Sequence, residues 1–148
     1  MLNTKVTLVF LCLLILLPSC ADDSETNPLD DFVGTWELSY YETSDNEKIE
    51  SPNDGKPVVL TLKSNGTYNG SAGNNEIMGE YHIEEGKIIL TFYTSEMANT
   101  EWEKLFHETL EIMREDNEYV FPYGLEDNDL ILSYDLDSSM HFIKHIKG

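Results

Sequence analysis

Apolar residues in this chain recur at every second position in one short run after another, and tight-turn residues punctuate the runs. That pattern dictates strands that bury one face and wet the other. Trp36, Leu38 and Tyr40 alternate with Glu37, Ser39 and Tyr41, and after a polar stretch from Thr43 to Pro57, predicted as a loop, Val58, Leu60 and Leu62 alternate with Val59, Thr61 and Lys63. Asn65-Gly66, two residues that tolerate positive φ, predicts a hairpin returning through Thr67–Ser71. A glycine-rich bend leads to a strand over Ile77–Glu84 with Tyr81 and Ile83 on one face. Glu85-Gly86 then turns the chain toward Ile88, Leu90 and Phe92.

The period changes once. Trp102, Phe106, Leu110 and Met113 are spaced four, four and three apart, with Leu105, Thr109 and Ile112 beside them, which predicts an amphipathic helix. Thr100 and Glu103 have capping-box spacing, acids fill the first turn, and the helix is expected to run to about Asp116. Strands are then predicted at Glu118–Tyr123, Asp129–Tyr134 and Met140–Ile146. Short strands with tight turns pair antiparallel. The fold class is therefore mainly β with one α-helix: a partly open barrel or curved sheet of about eight strands with the helix packed on it.

The first residues fix an address. Lys5 precedes an apolar run from Val6 to Leu17 broken only by Thr7. Twelve helical residues span roughly 18 Å, short of the ~30 Å hydrocarbon core, so the run is a signal-peptide core and not a spanning helix. Leu17-Pro18-Ser19-Cys20 resembles the bacterial lipobox, in which a small residue precedes a cysteine that is acylated before cleavage. The resemblance implies residues 1–19 as a lipoprotein signal peptide, Cys20 as the lipidation site, and 20–31 as a lipidated acidic tether. Ala21-Asp22-Asp23-Ser24-Glu25 is similar to short acidic export tags, which implies an outer-membrane lipoprotein exposed at the cell surface. With Cys12 discarded and Cys20 acylated, the domain at 32–148 must hold together by its core alone.

Charge excludes a class of partners. The chain carries a net −19, and losing Lys5 with the signal makes it −20. Such a field disfavours nucleic acid and anionic surfaces.

Gly70-x-x-Gly73-Asn74-Asn75-x-x-x-Gly79-x-Tyr81 resembles the signature of the META domain (HslJ-like) family of envelope proteins. Ser95-Glu96-Met97-Ala98-Asn99, followed by Glu103-x-x-Phe106-x-x-x-Leu110, and the early Gly34-Thr35-Trp36-x-Leu38, extend the resemblance across 32–148. The family has cysteine where this chain has Asn74 and Asn99, so no thiol chemistry carries over. The resemblance implies a fold similar to cracked-barrel pilot lipoproteins, which take lipid or partner tails in an apolar cavity. In such a cavity Trp36, Trp102, Phe106 and Met113 would line the pocket.

No pattern selects a reaction. No G-x-S-x-G elbow occurs, no histidine spacing suits a metal, and the calcium-loop glycine and terminal glutamate are missing. Gly70, Gly73 and Gly79 lead into a strand with no lysine following, which argues for backbone geometry and against a phosphate loop. No catalytic residue, metal or cofactor is expected. The functional expectation is a non-enzymatic envelope binding or assembly-accessory module, held at the membrane by its lipid and contacting an envelope protein. A lipocalin-like carrier of a small hydrophobic ligand, or an enzyme of unknown type, is the alternative.

Overall fold

The computed structural model describes residues 27–52, 56–95 and 100–146. The signal segment, Cys20, the tether up to residue 26, and Met97, Ala98 and Asn99 lie outside the described residues.

A short 3-10 helix, Asp30–Phe32, leads into β1 (Gly34–Glu42), β2 (Lys48–Glu50), β3 (Val58–Leu62), β4 (Thr67–Ala72), β5 (Asn75–Glu84), β6 (Lys87–Leu90) and β7 (Tyr93–Thr94). Then come α1 (Glu101–Ile112), β8 (Arg114–Glu115), β9 (Glu118–Glu126), β10 (Asp129–Asp135) and β11 (Ser138–Lys144). The pairing order β10-β11-β1-β3-β4-β5-β6-β9 is antiparallel throughout, and a further β9–β10 pairing closes these eight strands into a ring. Closure comes from strands long enough to serve two neighbours. β9 pairs β6 through Tyr119–Pro122 and β10 through Tyr123–Glu126, and β5 pairs β4 up to Glu80 and β6 from Tyr81. The mainly β architecture of eight principal strands with one packed helix is as expected, and the ring is closed.

Three local expectations are corrected, and the expected Asn65-Gly66 hairpin forms with its turn now defined. The 43–57 loop contains β2, which folds back on Tyr40–Glu42 through a turn with Asn46 at φ +59°. Its three residues are all exposed, so no hydrophobic period could announce it. In β1 the register shifts between Leu38 and Tyr40, a bulge that reverses parity. Tyr41 therefore enters the core with Trp36 and Leu38, and Tyr40 turns outward. At the Asn65-Gly66 hairpin only Gly66 takes positive φ, while the Asn65 side chain accepts from both Thr67 N and its hydroxyl. Finally, α1 stops at Ile112, not Asp116. Arg114 and Glu115 leave to pair with Glu118 and Tyr119 across a turn with Asp116 at φ +55°, and Ile112 is exposed.

The glycine-rich stretch is a hairpin more than a bend. β4 runs to Ala72 and β5 starts at Asn75, leaving Gly73 and Asn74 as a two-residue turn with Gly73 at φ +61°. Gly70 and Gly79 are needed for close approach. A Cβ on Gly70 would lie 1.8 Å from the Val59 carbonyl oxygen, and one on Gly79 2.1 Å from that of Thr91.

Bulky side chains crowd the ring. Trp36, Leu38, Tyr41, Leu62, Ile77, Ile88, Phe121, Leu130, Leu132, Met140 and Phe142 are fully buried, and an eight-stranded barrel is just wide enough for such side chains to fill. Each such side chain contributes about 1.5–3 kcal/mol on burial. The two ends are plugged differently. At one pole Phe32 packs edge-on against Tyr123, ring centroids 5.0 Å apart, and its carbonyl accepts the Trp36 indole N–H at 2.7 Å. At the other, α1 sets Trp102 edge-on against Tyr41 at 5.0 Å and Phe106 against Phe92 at 6.0 Å.

Candidate functional site

The signature residues converge on one buried carboxylate. Glu103, fully buried on the first turn of α1, accepts from the Asn75 side-chain amide through Oε1 and from the Thr100 backbone N–H at 3.3 Å through Oε2. The Thr100 hydroxyl returns the bond, accepting from Glu103 N at 3.2 Å, which completes the capping box. Ser95 donates to Asn75 Oδ1 at 3.2 Å, and His107 Nε2 stands 3.7 Å from Glu103 Oε1. Gly73 is part of this joint, since a Cβ there would sit 2.9 Å from both Glu103 Oε2 and Thr100 Oγ1. A buried carboxylate costs several kcal/mol unless donors compensate it, and here they do. The arrangement fastens the β4–β5 turn to the helix. It is not an open acid–base site.

The four predicted pocket-lining residues all join one hydrophobic core, at different places in it. Trp36 lies at the Phe32 pole, Trp102 and Phe106 at the α1 pole, and Met113 is half-buried past the helix end. Of these, Trp102 reaches an outer groove. A cleft of about 420 Å³ runs between β2 and α1, walled by Ile49, Pro52, Trp102 and Leu105, with Glu50 and Glu108 on its rim. On the other side of β2 lies a more polar hollow of about 800 Å³, lined by Glu37, Ser39, Tyr40, Lys48, Glu50 and Ser51. β2 is thus a flap between two recesses, with Ile49 43% exposed on it. It pairs with β1 alone among the described strands. Sequence reasoning missed this surface because the flap lay in a stretch read as loop.

A second cluster, also missed, crosses three strands. The bulge that expels Tyr40 stacks its ring on His141 at 4.2 Å, and Lys48 Nζ stands 3.7 Å above the Tyr40 ring. His141 Nδ1 faces Asp129 Oδ2 at 3.2 Å, and Nε2 faces Ser139 Oγ at 3.1 Å and Glu42 Oε2 at 3.4 Å. Serine, histidine and aspartate in line have the outline of a nucleophilic triad. The geometry argues otherwise: Nε2, which would take the serine proton, is shared with the Glu42 carboxylate, and Ser139 lines neither recess beside β2. The cluster ties β1, β10 and β11 together on the outer face. Among the described residues no group of three His, Cys, Asp or Glu side chains is placed to hold a metal ion, and no helix is long and apolar enough to cross a membrane.

Burial also marks two tyrosines. Desolvation pushes the Tyr41 and Tyr68 hydroxyls well above their ordinary value, partly offset at Tyr41 by the Thr109 hydroxyl and reinforced at Tyr68 by Tyr119. Tyr68 donates to the Thr91 carbonyl at 2.6 Å.

A closed eight-stranded antiparallel barrel, plugged by a helix whose first turn is fastened to a glycine-bounded hairpin, defines the class. The chain belongs to the META domain family, whose model matches residues 29–146. No curated protein matches it. Among solved structures it is similar to a protein from Burkholderia xenovorans determined by NMR, at 22% identity and TM-score 0.60, over 80% of this chain and 85% of that one. It is similar as well to a lipocalin-like protein from Bacteroides uniformis, at 17% identity and TM-score 0.56, over 78% and 99%. A DUF4847 family protein from Bacteroides vulgatus matches at 18% identity and TM-score 0.55, over 78% and 94%. At these identities the likeness establishes the fold.

Proposed function

We propose that this protein is a lipid-anchored, non-enzymatic module of the bacterial envelope, attached through Cys20 at the outer membrane, and that it binds a protein partner at the β2 flap. The observation that carries the reading is the contrast between interior and rim. The space a carrier would use is occupied by Trp36, Tyr41, Phe121 and Phe142, whereas Ile49, Trp102 and Leu105 wall an open cleft. Glu103, the one fully buried carboxylate among the described residues, is held by Asn75 and Thr100, which suits a structural role and not acid–base chemistry. A lipocalin-like carrier is the second reading, favoured by the fold shared with a structure described as lipocalin-like.

Fractionation of cells producing the wild type and Cys20→Ala tests the anchor. The wild type is expected in the membrane pellet and the variant in the soluble fraction. A variant that stays with the membrane contradicts the anchored reading.

A further inference from the structure

The two poles of the barrel differ in what they allow the chain to do at a membrane. Asn27, the first described residue, is fastened at the Phe32 pole, where its side-chain amide donates to the Ser64 carbonyl at 3.0 Å in the β3–β4 turn. Gly34 pairs with Leu62 beside it. The nine residues of β1 then carry the chain to the opposite pole, where Tyr40–Glu42 hold β2, Tyr41 meets Trp102, and Glu42 pairs with Ser139. Beyond Ser139 is the β10–β11 turn, whose Leu136 is 97% exposed.

We propose that the barrel stands on the lipid bilayer on its Asn27 pole and holds the β2–α1 cleft and the Leu136 turn away from lipid. The inference rests on acylation of Cys20. Seven peptide units separate Cys20 from Asn27, which can span at most about 25 Å, and a relaxed chain of that length covers on average about 15 Å. The barrel is of comparable height. Gly34 and Glu42 are about 26 Å apart along β1, or about 20 Å along the axis of a barrel with ordinary strand tilt. The Asn27 segment and the Leu136 turn extend beyond those two residues. An inverted barrel, resting on Leu136, would hold Asn27 at or beyond the tether's full extension. An upright one asks for far less than that length.

The Leu136 pole is also a poor lipid contact. Asp135 and Asp137 flank the leucine, and inserting it would strip water from both carboxylates. Charge alone does not choose the Asn27 pole, since Asp30, Asp31, Glu126 and Asp127 stand there with Lys63 and Lys144. The length of the tether does. The consequence for function is that a partner reaches the flap from the periplasmic or external side, without competing with lipid headgroups.

The test uses the full lipidated protein in nanodiscs of phosphatidylethanolamine and phosphatidylglycerol, with headgroup-spin-labelled lipid as quencher. Ser64→Cys and Leu136→Cys, both at exposed turn positions, each receive a bimane label, and an unchanged circular dichroism spectrum verifies the fold. The expected result is strong quenching at position 64 and, at position 136, emission equal to that in unlabelled lipid. Equal quenching at both, or stronger quenching at 136, overturns the orientation while leaving the anchor intact. A protein with Cys20 present that fails to co-elute with the nanodiscs overturns the anchor, and the orientation with it.

Discussion

Asn75 and Glu103, 28 residues apart in sequence, meet in the buried joint between the β4–β5 turn and the first turn of α1, the asparagine amide donating to the glutamate carboxylate. This contact gives the family signature a physical meaning. Gly73 makes room for Glu103, Asn75 and the Thr100 backbone N–H satisfy it, and Thr100 caps the helix that plugs the barrel. Asn75→Ala should cost about 1–3 kcal/mol, because it leaves a fully buried carboxylate short of a donor. Urea unfolding measures it, and an unchanged midpoint would show that the joint is not stabilising.

The glycines should rank by what a methyl group meets. At Gly70 and Gly79 alanine collides with backbone carbonyl oxygens that no rotamer change can move, while at Gly86, at φ +77°, nothing lies within 4 Å. Gly86→Ala should therefore cost only the left-handed backbone penalty of about 1–2 kcal/mol. Gly70→Ala and Gly79→Ala should lose several kcal/mol or fail to fold, a severity tied to overpacking against a fixed backbone. Thermal melts of the three variants give the order.

Alkaline stability should depend on Tyr41 and Tyr68. Their folded pKa values are raised above the unfolded value of 10.0, so the unfolded chain loses its protons first. Their contribution is complete below pH ~10 and falls as pH rises further, by up to about 1.4 kcal/mol per pH unit for each tyrosine. Tyr68→Phe should flatten that decline, while removing the hydrogen bond to Thr91. Unfolding free energies between pH 9 and 11.5 check the slope, and an equal slope in wild type and variant would contradict the assignment.

The sequence disclosed the elements whose signals are local. Thr100 and Glu103 marked the helix start because a capping box is a four-residue pattern, and the alternation of Val58, Leu60 and Leu62 marked β3 because one face is buried. What stayed hidden depends on distant partners. The bulge that sends Tyr40 outward is set by β11, β2 has no buried residue to impose a period, and α1 ends early because Arg114 and Glu115 find a partner in β9. Asn75 and Glu103 each belong to a legible motif, but their contact spans two motifs and no spacing predicts it. The His141 cluster draws on β1, β10 and β11 and left no trace in any one of them.

Recognition is proposed for the rim because bulky side chains such as Trp36, Tyr41, Phe121 and Phe142 crowd the interior. Native mass spectrometry of the lipidated protein, released gently from detergent, tests it most directly. The expected mass is that of the acylated chain alone, with no bound small molecule. A stoichiometric apolar ligand that disappears on enlarging a core residue, as in Leu132→Phe, would place the binding site inside the ring and contradict it.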